Sequence, residues 1–265
     1  MVDKSEKFSW LVRLGFAARG LTYFLLGYMA LGTQVTPGSG NTAALDLLQD
    51  VPFGTPLLYV MSVGLVGYVI FKLASAIGGV QNRGNDMKGV LKRIGDGASA
   101  VAYSILAFAA LQFARGDRQS ADGGESQQAA GTVLDWTLGA IVVGLIGLGF
   151  LVGAVMQAKE AATGSFMHGV SPRAPNAIEP VGRAGHGARA VVFAIIGWSL
   201  VRAAWFDSEA QVKGLGDALL SLRESGAMYM LVAIGLMLFG FFSMAVSRYR
   251  IIPEFGADGL KPSFR

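Results

Sequence analysis

The sequence predicts an all-α membrane protein: six transmembrane helices built as three parallel two-helix repeats, with pseudo-threefold symmetry about the membrane normal. Three observations lead there. The 265 residues are 52% hydrophobic and 15% charged, with mean hydropathy +0.48, whereas a soluble domain carries about 25% charged residues. Six apolar stretches of about 20 residues, enough to cross a hydrocarbon core, alternate with polar segments. Successive pairs of stretches also match one another at fixed offsets, the mark of an internal repeat.

The first stretch, 15–35, is closed by the Thr-Pro-Gly-Ser-Gly run at 36–40, which cannot continue a helix. No small-residue cleavage site follows it, so it reads as a span and not a signal peptide. The second, 56–79, follows the turn sequence Pro52-Phe53-Gly54. The third, 95–113, begins beside Lys92 and Arg93 and ends at a Gly-rich linker, 116–128. Between the fourth, 137–158, and the fifth, 187–206, lies the longest polar connection, 160–186, whose Pro172, Pro175 and Pro180 predict an extended loop. The sixth, 227–247, leads into a tail at 251–265. The chain reads as a single membrane domain, residues 1–265.

Direction follows from Lys and Arg, which are retained in cytoplasmic loops. With the N-terminus inside, 17 of the 22 basic residues fall on the cytoplasmic side, and Arg115, Arg118, Arg202, Lys213 and Arg223 remain outside. Both termini are therefore expected in the cytoplasm, with the protein multi-pass in the cell membrane. The net charge of +4 is a topology signal together with attraction to the anionic leaflet, and no nucleic-acid partner is expected. Trp10 and Tyr249 fall at the inner boundary, and Tyr59, Trp136, Trp205 and Tyr229 at the outer one, as interfacial rings do. Trp198, mid-span, is expected to be buried. Lys72 and Arg202, near helix ends, are expected to snorkel to the interface.

The repeats occupy 10–80, 90–160 and 180–250. Arg13, Arg93 and Arg183 stand in register, each followed ten residues on by Tyr23, Tyr103 or Phe193. The second helices are expected to align on Gly64, Gly144 and Gly235. These arginine-glycine openings, the segment Ala44-Leu45-Asp46-Leu47-Leu48 with Pro52-Phe53-Gly54, and the Gly64-Leu65 pattern resemble the bacterial membrane proteins of domain-of-unknown-function family 1206. The resemblance covers about residues 10–250 and implies three two-helix units; it carries no activity. The middle copy departs from it, with Ser99 where the others hold Arg19 and Arg189, and with no Pro-Phe-Gly.

Charged groups inside the hydrocarbon are the default functional candidates. The superposed copies place unlike residues at one level: Phe16, Asp96 and His186, then Arg19, Ser99 and Arg189. Arg19, Asp96, Ser99, His186 and Arg189 form the candidate site, a ring at the cytoplasmic mouth suited to an anionic head group or solute. They are expected roughly 5–10 Å inside the boundary, at 1.5 Å per residue. Arg13, Arg93 and Arg183 are repeat anchors for packing or lipid. Gly144, Gly149 and Gly153 are helix-contact glycines. Asp46 and Asp217 fit helix N-caps of short outer segments, with Ser126 in that place in the middle copy.

The chain has no cysteine and two histidines, and no phosphate loop, nucleophile elbow or metal-binding spacing. No enzymatic activity, cofactor or metal is expected. Two functions fit: a passive channel or carrier for a small solute along the threefold axis, or an accessory subunit that packs against a membrane-protein partner or a second copy, or binds lipid. An apolar, plugged axis argues against a channel. Because native thiols are absent, Ser39→Cys should react with an impermeant maleimide in intact cells and Asn176→Cys only after permeabilisation; the reverse pattern would contradict the assigned direction.

Overall fold

The computed structural model describes residues 4–32, 45, 48–49, 53–78, 87–116 and 125–251. Six of its helices are long and apolar enough to cross a membrane: α1 (Lys4–Leu31), α2 (Gly54–Gly78), α3 (Met87–Arg115), α5 (Gly139–Thr163), α6 (Ile178–Phe206) and α8 (Ala227–Tyr249). Two short helices, α4 (Glu125–Leu134) and α7 (Leu215–Leu220), lie at the end of the bundle away from the termini. Asp46, Pro52 and the 36–40 run lie outside the described residues, as does the side chain of Ser126. Asp217 is the third residue of α7 and not its N-cap: its Oδ2 accepts from Gly214 N at 3.2 Å.

The fifth helix starts nine residues earlier than the hydropathy window predicts, at Ile178. Pro180 sits in its first turn, where a missing N–H costs nothing. Arg183, His186 and Arg189 then lower the apolar average of a stretch that is helical throughout. The expected loop is therefore short. It includes a 3₁₀ turn, Ser165–Gly169, and is tied to the end of α8 by Ser171 N to Tyr249 O at 2.8 Å and Ile251 N to Gly169 O at 3.1 Å.

The long helices pack in the order α3, α2, α1, α8, α6, α5. The second helix of each repeat lies against the first helix of the next: α2 on α3, α5 on α6, α8 back on α1. Within repeats, α1 packs on α2 and α6 on α8. Such contacts would close a six-membered ring, but α3 and α5, the two helices of the middle repeat, do not pack along one another.

Close contacts give the register of the copies. A Cβ added to Gly15 would lie 2.7 Å from Gly64 O and Tyr68 N, and one added to Gly185 would lie 2.6 Å from Phe239 Cα. Tyr68 and Phe239 are thus counterparts. Ser62 Oγ donates to Ala107 O at 2.9 Å, the place taken between α5 and α6 by Gly147 against Gly197, and between α8 and α1 by Ala233 against Gly27. The second helices are therefore offset by 85 and 86 residues, which aligns Gly64, Gly149 and Gly235. Gly144 is not their counterpart; it lies in the α5–α6 interface, where an added Cβ would be 3.3 Å from Ala204 Cβ. The 80-residue offset of the first helices does not carry to the second because the middle repeat has a longer outer connection, which holds α4.

At the two closed seams the glycines admit the neighbouring backbone. Gly64 meets Leu14 and Ala18, and Gly235 meets Ala188, while Gly149 and Gly95, their middle-copy counterparts, have nothing within 4 Å of an added Cβ. Ile146 is 48% exposed where Met61 and Val232 are each 2% exposed. Gly153 faces α6, where an added Cβ would lie 3.2 Å from the Phe193 ring. Trp198 is not buried: it is 59% exposed on the outer face of α6. Tyr229, expected at the outer interface, is buried and donates to Ala30 O at 2.8 Å.

This difference between seams is directly measurable. Gly185→Val should lower the thermal unfolding midpoint in detergent, by roughly 1–3 kcal/mol as overpacked interior sites do. Gly149→Val should leave it unchanged; equal losses would mean that the third seam is packed like the others.

Candidate functional site

Two of the three repeated arginines, Arg13 and Arg183, act on helix ends. Arg13 donates from α1 to the last turn of α8, to Ser247 O at 2.9 Å and to Arg248 O. Arg183 donates from α6 to Ala162 O at 2.9 Å, in the last turn of α5, and pairs with Glu179 at 2.8 Å. Ala162 and Arg248 are counterparts under the 86-residue offset. A cation over these carbonyls satisfies acceptors that the helix leaves open and opposes the negative end of its dipole. The first helix of one repeat thereby caps the second helix of the preceding one.

One turn to two turns deeper is a polar level set inside the ring. Arg19 on α1 is 8% exposed. Its Nε donates to Ser243 Oγ on α8 at 2.7 Å, its Nη1 to Tyr68 Oη on α2 at 2.6 Å, and its Nη2 also to Ser243. Arg189 on α6 meets Gln157 on α5. With the Gln157 amide oxygen turned to the guanidinium, it accepts from Nη1 at 2.9 Å and Nη2 at 3.3 Å, and the amide nitrogen donates to His186 Nδ1. The middle copy has neither arginine nor neutral partner: Lys72 on α2 pairs with Asp96 on α3 at 2.7 Å. Lys72, Gln157 and Ser243 are counterparts under the 85- and 86-residue offsets, so one position on each second helix engages the first helix of the next repeat.

The two arginines share an aromatic centre. The Arg19 and Arg189 Cζ atoms lie 5.1 and 4.4 Å from the Phe239 ring centroid. Arg19 also lies 4.8 Å from Phe16 and 5.0 Å from Tyr68; Arg189 lies 5.2 Å from Tyr23 and 4.9 Å from Phe193. Arg19, Lys72, Arg189 and Asp96 are all within electrostatic reach of the Tyr68 hydroxyl. Such contacts contribute up to about 2 kcal/mol each when desolvated, yet they leave the charge in place. Among the described residues no carboxylate lies in salt-bridge range of Arg19 or Arg189, although Glu160, beside His186, is within electrostatic reach of Arg189. Arg189 Nε and His186 Nε2 are buried without a hydrogen-bond partner among the described residues. The level thus carries two guanidiniums beside one neutralised Lys–Asp pair.

Of the residues predicted to form the site, the structure brings Arg19 and Arg189 together around Phe239. Asp96 is turned to Lys72 on the neighbouring helix. His186 lies against Gln157 and 3.2 Å from Glu160 Oε2, with its ring stacked on Phe166 at 4.7 Å. Ser99 takes no part, its hydroxyl donating to Gly95 O at 2.8 Å on its own helix. Lys72 does not snorkel; its ammonium is held inward by Asp96. Arg19 is ten residues from the start of the span Ser9–Leu31 and Arg189 eleven from the start of Ile178–Phe206, about 15 Å along the axis. Sequence reasoning missed Lys72, Gln157, Ser243 and Tyr68; the corrected offset is the signal that would have found three of them.

The termini-side face of the cluster is covered by Phe166 and by Arg250, whose Cζ lies 5.4 Å from the Phe16 ring. On the other side, Tyr103 packs on Tyr68 at 4.8 Å and Tyr23 on Phe239 at 4.9 Å, above which Leu26, Leu65 and Leu236 are wholly buried. The middle of the ring is a packed aromatic and aliphatic core.

A family described as Domain of Unknown Function (DUF1206) matches residues 14–79, 94–164 and 184–250. The chain belongs to this family. The matched segments start 80 and 90 residues apart and end 85 and 86 apart, in agreement with the register of the packed helices. Among curated proteins, the chain is 33% identical over 261 residues to the uncharacterized protein YxxB of Bacillus subtilis (strain 168), covering 93% of this chain and 94% of that one. No solved structure matches. The member described here is thus a multi-pass helical protein of a bacterial family, with outward apolar faces suited to lipid.

The Lys72–Asp96 pair gives a stability prediction. Asp96→Ala leaves the ammonium buried and uncompensated and should destabilise by roughly 3 kcal/mol, while Lys72→Met combined with Asp96→Leu should recover most of the loss. Equal instability of the single and double variants would mean that the pair is not what Asp96 contributes.

Proposed function

We propose that this protein binds an anionic group, the phosphate or carboxylate of a solute or lipid, between Arg19 and Arg189 inside the bundle. The observation that carries the reading is two inward guanidiniums whose hydrogen-bond partners and ring contacts among the described residues are neutral, with one carboxylate, Glu160, within electrostatic reach of Arg189. A charge held at membrane depth costs about 2.5–3.5 kcal/mol or more, and an anionic ligand supplies the missing counter-charge. The site holds two forked donors suited to bidentate recognition of a phosphate or carboxylate. Binding, as in a carrier or a lipid-binding subunit, is the activity; an open channel is disfavoured by the rings of Tyr23, Tyr68, Tyr103 and Phe239 across the middle. The basic, termini-bearing end faces the cytoplasm in the bacterial inner membrane, as the placement of Lys and Arg supports.

A second reading is supported by Gly149, which faces open space as a helix-docking glycine would: an accessory subunit in a larger membrane complex. Purification in mild detergent should then recover a stoichiometric partner.

The anion reading is tested with purified protein in nanodiscs. Phosphatidylglycerol titrated into a phosphatidylcholine background should raise the unfolding midpoint, as a ligand of the native state does. Charge-assisted hydrogen bonds contribute roughly 1.5–3 kcal/mol, so Arg19→Gln and Arg189→Gln should each weaken the response about tenfold or more. An unchanged response in the double variant would remove the arginines from binding.

A further inference from the structure

The seam between α3 and α5 breaks a pattern that this chain sets twice. At the α1–α2 and α6–α8 seams, Gly15 and Gly185 each receive the neighbouring backbone, with an added Cβ 2.7 Å from Gly64 O and 2.6 Å from Phe239 Cα. Gly95 occupies the same place in the middle repeat and Gly149 is the counterpart of Gly64 and Gly235, yet both face open space. Glycine in a helix interior weakens it by about 1 kcal/mol relative to alanine, and the closed seams show the contact for which this one is shaped.

The open seam also lies at the level of the arginine cluster. Asp96 follows Gly95 directly, and Gln157 lies two turns along α5 from Gly149. The middle repeat contributes its smallest side chains to the ring here: Ser99 in place of Arg19 and Arg189, and Gly153 in place of Tyr68 and Phe239. The routes along the axis are filled, by Tyr23, Tyr103 and Phe239 on one side and by Phe166 and Arg250 on the other. Four of the five other contacts around the ring draw helices together at a glycine: α1–α2, α6–α8, α5–α6 and α8–α1. The fifth, α2–α3, is spanned by the Lys72–Asp96 pair and the Ser62 hydrogen bond.

We propose that the ligand of the two-arginine site is a bilayer lipid with an anionic head group, which enters sideways between α3 and α5, and that the seam closes behind it when Gly95 seats on Gly149. This rests on the anion-binding reading and adds the class of ligand, the route and the moving element. A lipid already in the membrane reaches the cluster with its acyl chains remaining among the apolar side chains that flank the opening, Ile94 and Ile105 on α3 and Leu145, Ile146 and Leu148 on α5, all exposed. A water-soluble anion has no such anchor and would have to cross the covered termini-side face.

Two measurements test it in the full-length protein. Phosphatidylglycerol should raise the unfolding midpoint, whereas its water-soluble deacylated head group, glycerophosphoglycerol, at equal concentration should not. Equal stabilisation by the head group would overturn lateral access while leaving the anion site intact; stabilisation by neither would overturn both. The chain has no native cysteine, so Gly95→Cys with Gly149→Cys supplies the only two thiols, at positions where an added side chain meets nothing. Reduced, this variant is the reference against which the joined state is read. Joined by a short bis-methanethiosulfonate cross-linker, which forms a disulfide with each thiol as methanesulfinate leaves, it should exchange fluorescent phosphatidylglycerol about tenfold more slowly or worse than the reduced variant, as a gate held shut does, with full recovery when the linker is reduced. Failure to cross-link in any lipid, or unchanged exchange once cross-linked, would overturn the closing seam.

Discussion

The architecture depends on how closely two helix backbones can approach inside a membrane. Lipid tails are as apolar as leucine, so apolar burial does not drive helices together there; packing, interhelical hydrogen bonds and small residues do. This chain meets that constraint with glycine: Gly20 against Gly240, Gly147 against Gly197, Gly15 against Gly64. Where a glycine has a backbone opposite it, the ring is closed. Where Gly95 and Gly149 have none, it is open, and the other properties of the site follow from where that gap falls.

Close approach also places the polar groups. With backbones in contact at the glycine levels, side chains one or two turns nearer the termini are held within reach across each interface, and Lys72, Gln157 and Ser243 meet Asp96, Arg189 and Arg19. A threefold plan has been filled with unlike residues. Two copies keep an arginine and give it a neutral partner, and the third replaces arginine with Ser99 and brings a cation from the opposite helix with its own carboxylate. The exchange concentrates positive charge on one part of the ring and leaves the middle repeat small and open, an asymmetry that a site for one ligand needs and a structural ring does not.

The spans, the repeat and the family were legible because each rests on a property of the chain itself: hydropathy over about 20 residues and recurring Arg–Gly openings. The candidate arginines were legible for the same reason, since charge within an apolar stretch stands out. Partners were less so. An offset carried over from the first helices aligned Gly144 in place of Gly149, because the insertion that changes the offset lies between the two helices of one repeat and leaves no mark on either. With that register Lys72, Gln157 and Ser243 could not be seen as one position, and Lys72 read as a snorkelling end residue. The exposure of Trp198 was hidden because a mid-span ring looks the same in sequence whether it faces lipid or core. The open seam cannot be read from sequence at all, since its glycines match those of the closed seams.

The central claim is that three like helix pairs are held in two unlike states. It is tested by distances between spin labels on outward-facing counterparts across each seam: Tyr28 with Val60, Phe108 with Leu145, and Trp198 with Leu231, all exposed side chains. Double electron–electron resonance in lipid nanodiscs should give short, narrow distributions for the first and third pairs and a longer or broader one for Phe108 with Leu145. Three matching distributions would show a closed, uniform ring and contradict the account.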